Sequence, residues 1–147
     1  MGRIVVGVDG SEEGTAALRW ALEEARIRNS PVEVIYAFSG LPDLSEIVVL
    51  DDEKDAMIEA EELIRVVVDE AVQGMPGVPV SSRVIGGRPS HVLIESSIGA
   101  DLLVVGSRGR GGFTELMLGS VSQQCVHHAR CPVAVIRRGT RPAAAAS

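Results

Sequence analysis

The 147 residues fall within the usual size of one domain and suffice to bury a single core. Hydrophobic residues make up 46% but aromatic ones only 3%, so Val, Ile, Leu and Ala must fill that core, which suits a sheet covered by helices. A formal net charge of -6 argues against a general nucleic-acid binder, and no apolar run approaches the ~18 residues that span a membrane.

Arg3-Ile4-Val5-Val6-Gly7-Val8 is a short apolar run that stops at Asp9-Gly10-Ser11, a buried strand followed by a turn and a helix cap. Met1 to Gly7 matches no secretory cleavage pattern, so a cytoplasmic location is expected. The first helix runs to about Asn29. Ala17, Leu18, Ala21, Leu22 and Ala25 recur at helical spacing, and Arg19, Glu23, Arg26 and Arg28 are expected to face outward. Pro31 to Phe38 reads as a second strand, and the loop beyond Ser39-Gly40 has no clear periodicity.

From Asp52 to about Gln73, a second helix shows one apolar face through Ala56, Met57, Ala60, Leu63, Ile64, Val67, Ala71 and Val72, with acids opposite. Gly74, Pro76 and Gly77 end it. Val78 to Ile85 reads as a third strand, Gly86-Gly87-Arg88-Pro89 as a turn into a short helix through about Ile98, and Asp101 to Gly106 as a fourth strand. A glycine-rich loop follows. Gly119 to Ala129 is the last helix and Pro132 to Arg137 the last strand, while the tail 139–147 is expected to be disordered, leaving one domain over 1–138.

Strands separated by helices imply parallel pairing with right-handed crossovers, and so an α/β fold with an open doubly wound sheet. Ligands of such sheets bind beyond the carboxyl ends of the strands, where strand order reverses. That rule directs attention to Asp9, to Ala37 and to the segment after Val105. The charge distribution agrees. Acids crowd the stretch from Asp43 to Glu70, opposed by Lys54 and Arg65, whereas Arg108, Arg110, Arg130, Arg137, Arg138 and Arg141 gather near the end and favour a small polyanion there.

The segment Gly106-Ser107-Arg108-Gly109-Arg110-Gly111-Gly112, continuing to Gly119-Ser120-Val121-Ser122, lies between a strand and a helix. Glycines let backbone amides approach a phosphate, and the helix beginning near Gly119 offers unpaired N–H donors and a positive dipole end. Ser120 and Ser122 add hydroxyl donors, completing an anion cradle. Gly106, Gly109, Gly119 and Ser120 follow the pattern glycine, two residues, glycine, nine residues, then glycine with serine or threonine. With the opening Ile4 to Ser11, the run Ala100 to Gly109 and the closing Cys131 to Val135, the chain resembles the ATP-binding branch of the universal stress protein family.

That resemblance implies a Rossmann-like sheet of five parallel strands in the order 3-2-1-4-5, helices on both faces, and ATP across strands 1 and 4 with Mg²⁺ carried by its phosphates. Asp9 would lie near ribose and adenine, Ala37 beside the base, and Gly7, Val8 and Val105 along the same floor. Gly106, Arg108, Gly109, Gly119, Ser120 and Val121 would hold the phosphates. Asp9 also reads as a helix cap, and Arg108 equally as a solvated loop residue. The family further implies a homodimer through the last strand, whose Val133 and Val135 lie on one face and Ala134 and Ile136 on the other of an edge that invites pairing.

Enzyme readings find less support. A P-loop needs a lysine after its glycines, and the chain's one lysine, Lys54, sits on the acidic helix. No Ser/His/Asp order points to nucleophilic catalysis, and His91, His127 and His128 read as helix residues. Cys125, His128 and Cys131 lack a fourth metal ligand, and the two cysteines read as core thiols. A receiver domain would want a lysine where Arg137 stands, and a flavodoxin-like site would place its phosphate loop after the first strand. Expected, then, is a nucleotide-dependent regulator of the stress response. Slow ATP hydrolysis in the same pocket, or binding of AMP or a cyclic nucleotide, stands as the alternative.

Overall fold

Apolar runs and helical periodicity become elements close to the expected bounds. The computed structural model describes residues 2–38, 49–108 and 118–138. In chain order they form β1 (Ile4–Val8), α1 (Glu12–Arg28), β2 (Val32–Phe38), α2 (Val49–Val72), β3 (Val80–Gly86), α3 (Pro89–Ser96), β4 (Leu102–Gly106), α4 (Ser120–His128) and β5 (Val133–Ile136). The expected disordered tail and the loop after β2 lie outside the described residues.

All four strand pairings are parallel, and the sheet order is β3-β2-β1-β4-β5. This is the order the family resemblance implies. Ile4 pairs with both Val32 and Leu102, so β1 sits at the centre, flanked by apolar neighbours on either side. Successive side chains of a strand point to opposite faces, which is why β1 and β4, covered on both, are apolar throughout rather than alternating. Ile4, Val6, Val32, Val34 and Val104 pack against α1 and α2, whereas Val5, Ile35, Leu103 and Val105 pack against α3 and α4. Leu18 and Leu22 of α1 are almost wholly buried, and each contributes about 2 kcal/mol through that burial.

Helix α1 ends where Asn29 turns left-handed at φ 56°, ψ 48°, while the following Ser30 N–H donates to Ala25 O at 2.9 Å. Two details of the sequence reading change. Glu23 is buried rather than outward, its carboxylate accepting from Arg26 Nε at 3.1 Å and from Arg26 Nη2. Leu63 is exposed, and the buried stripe of α2 runs through Ala60 and Ile64 with Val67, Val68 and Ala71 packed beside them. At 3.6 residues per turn Leu63 lies roughly 80° round the helix from that stripe.

This topology brings the carboxyl ends of β1 and β4 side by side although the chain leaves them in opposite directions along the sheet: from β1 to β2, and from β4 to β5. A crevice at that junction is the geometric consequence.

Candidate functional site

A cavity of about 210 Å³ opens at the ends of β1, β2 and β4. Its floor is apolar, formed on the α3 side of the sheet by Gly7, Ile35, Ala37, Leu93 and Val105. Gly7 makes this floor possible. A Cβ there would stand 2.7 Å from Leu93 Cδ1, so a larger residue would push α3 away or fill the cavity. Val8 also lines the cavity, but it packs within the α1-side core and so offers mainly its backbone.

The wall nearest α1 is acidic. Asp9 Oδ1 accepts from the Ser11 N–H at 2.9 Å and from the Ser11 hydroxyl, while Ser11 Oγ accepts from the Gly14 N–H at 3.1 Å. Ser11 is therefore the N-cap, and Asp9 braces the cap while also lining the cavity. Glu12 and Glu13 occupy the first turn, so α1 meets its positive dipole end with its own carboxylates.

The wall nearest α4 is built the other way. Its N-cap is Gly119, with no side-chain cap bond, and its first turn holds no acid. The first intrahelical bond at this end runs from Gln123 N–H to Gly119 O at 3.0 Å. The preceding amides of Ser120, Val121 and Ser122 thus have no helical acceptor, and all three residues line the cavity. Gly119 is fixed by its N–H to Ser107 O at 2.7 Å, and Ser107 N–H donates to Ile136 O at 2.8 Å. The Ser122 hydroxyl reaches Ser107 O at 2.9 Å and Gly119 O at 3.0 Å, so its one proton is committed to holding this corner together. What Ser122 presents to the cavity is its amide, while the exposed Ser120 keeps a hydroxyl to offer.

Gly106 and Arg108 complete this wall. A Cβ on Gly106 would lie 2.8 Å from Glu13 Cβ and 3.0 Å from its carbonyl carbon, so the glycine lets the end of β4 rest directly on the first turn of α1. Arg108 Nη2 lies 3.4 Å from Glu13 Oε1, and Arg138 Nε lies 3.3 Å from the same oxygen. Sequence reasoning missed Glu13, Gly14, Ile35, Pro89 and Leu93. Pro89 is the first residue of α3 and, with Leu93 one turn on, it lines the cavity.

Gly109 and Arg110 lie outside the described residues. His91, His127 and His128 are exposed, and among the described residues no three His, Cys, Asp or Glu side chains cluster as metal ligands would. Both cysteines are free thiols. Cys125 is fully buried under α4, which pushes its pKa up to about 11, and burial also raises that of the half-buried Cys131. Among the described residues no helix is long and apolar enough to cross a membrane.

Residues 1–137 match the model of the universal stress protein family. A universal stress protein of Mycobacterium tuberculosis is 38% identical over 139 residues, which cover 92% of this chain and 45% of that relative. The chain thus spans about half the length of the mycobacterial relative. A universal stress protein of Thermus aquaticus is 33% identical over 91% of this chain and 97% of its own length. Among solved structures, the universal stress protein from Archaeoglobus fulgidus in complex with dAMP superposes with a TM-score of 0.68 at 25% identity, covering 92% of this chain and 98% of that one.

Proposed function

The chain belongs to the universal stress protein family, and from that premise we propose that its cavity holds an adenine nucleotide, ATP with Mg²⁺ carried by the phosphates. The observation that carries this reading is the pairing of an apolar slot with the uncapped amides of Ser120, Val121 and Ser122 at one strand junction. The base lies on the floor of Gly7, Ala37 and Val105, and Asp9 faces the ribose. The phosphates rest at Gly106 and on the amides from Gly119 to Ser122, with Arg108 beside them. Gly109, beyond the described residues, belongs to the same loop.

The fit can be argued from the donor set. Backbone amides and a glycine approach suit a phosphate, whereas the described residues gather no carboxylate cluster for a divalent ion, so Mg²⁺ would arrive on the nucleotide. The A. fulgidus relative, described in complex with dAMP, supports an adenine ligand and also favours a second reading, in which a monophosphate is the physiological occupant. In either case the residues bind and orient. Occupancy would act as a signal in the stress response, and we place the protein in the cytoplasm as one domain over 1–138. The edge strand β5 is the surface through which two copies would pair.

Calorimetric titration of the folded protein with Mg²⁺ and ATP, AMP, adenosine or GTP tests the reading. Adenine nucleotides should bind, and GTP reads how far the base edge contributes. Absence of heat with every adenine compound would overturn it.

A further inference from the structure

The carboxylate of Glu13 is the meeting point of two arginines from different strand ends. Its side chain is only 5% exposed, yet it lies within 3.4 Å of Arg108 Nη2 and 3.3 Å of Arg138 Nε. Arg108 lines the cavity beyond β4, and Arg138 follows β5 and also lies 3.2 Å from Glu12 Oε2. Building on the nucleotide reading, we propose that Glu13 sets how strongly the site responds to phosphate charge, by competing with the phosphates for Arg108.

A buried carboxylate that loses its cation is costly, and for that reason a simple Glu–Arg pair resists being broken by a ligand. Here the cost is covered in advance. When Arg108 turns toward a phosphate, Arg138 stays at 3.3 Å and keeps Glu13 compensated. Arg138 is itself 63% exposed and rooted outside the cavity lining, so its contact with the cavity wall runs through Glu13. Glu13 and Arg138 are thus positioning residues, and Arg108 is the group they release or retain. The effect should scale with ligand charge, since a neutral nucleoside does not draw on Arg108.

Three variants separate the roles. Glu13→Gln removes this one competitor with little change of shape, and ATP binding should tighten roughly fivefold, AMP less and adenosine not at all, with a steeper dependence on salt. Arg138→Gln leaves Arg108 as the principal cation on Glu13, and ATP binding should weaken roughly threefold, again with adenosine unchanged. In the Arg108→Gln background both effects should vanish. Equal changes for ATP and adenosine, or no change in either variant, would overturn the proposal, and Arg138→Gln remains informative if Glu13→Gln fails to fold. If the unmodified protein binds no adenine nucleotide, the nucleotide reading itself fails. Binding by the unmodified protein with indifferent variants sinks only this inference.

Discussion

Helices α1 and α4 begin on opposite sides of the β1–β4 junction with the same unpaired amides and the same positive dipole end, yet they treat an anion differently. α1 supplies its own: Ser11 caps Gly14, Asp9 braces Ser11, and Glu12 and Glu13 fill the first turn. α4 supplies none, starting from Gly119 with no side-chain cap and no acid. A helix start satisfied from within is closed to an outside anion, whereas one left open keeps its amides available to one. The contrast also polarises the cavity. On the proposed reading, a ligand with a neutral ring system and an anionic tail turns its tail toward α4.

The strongest way to break this contrast is to make α4 resemble α1. Ser120→Asp puts a carboxylate in its exposed first turn, and ATP affinity measured by calorimetry should fall by about 2–3 kcal/mol while thermal stability holds or rises slightly. Next comes the contact that keeps the two starts together. Gly106→Ala places a Cβ against Glu13 backbone, and chemical denaturation should show a loss of about 1–2 kcal/mol. Ser11→Ala removes the α1 cap and should cost about 1 kcal/mol of stability. Its effect on nucleotide affinity should be smaller than that of Ser120→Asp.

The smallest effect concerns the underside of α4. Burial lifts the Cys125 thiol from 9.0 to about 11. Below pH 9 the thiol is protonated in both the folded and the unfolded chain and makes no difference. Between about pH 9 and 11 the unfolded chain has lost a proton that the folded chain still holds, so this group lowers stability as pH rises. Native protein at pH 8 should accordingly show no alkylation at Cys125, and mass spectrometry of labelled peptides would reveal it.

Much of this architecture is legible in the sequence because apolar runs and helical spacing are local signals. Leu102 to Val105 and Ile4 to Val6 read as buried strands, and Asp9-Gly10-Ser11 announces the start of α1. The sequence reading starts α2 at Asp52 because acids at Asp51 and Asp52 resemble a helix start, whereas the helix begins at Val49. The glycine spacing located the open wall of the cavity, where Gly106, Gly119, Ser120 and Val121 do come together.

Tertiary packing decides the rest. An acid in a first helical turn reads as solvated, and only the ends of β4 and β5 resting on α1 bury Glu13 between two arginines. A serine in the first turn of a helix that follows a glycine loop reads as a ligand donor, and it is the carbonyls of Ser107 and Gly119 that turn the Ser122 hydroxyl inward. Leu93 is one apolar residue among several in α3 until Gly7 leaves room for it to floor the cavity.

Backbone amide resonances during a titration with Mg²⁺ and ATP test the asymmetry most directly. The N–H signals of Ser120, Val121 and Ser122 should shift strongly and saturate together, while those of Glu12, Glu13 and Gly14 move little. Stationary α4 signals, or α1 signals that move as far, would contradict the account.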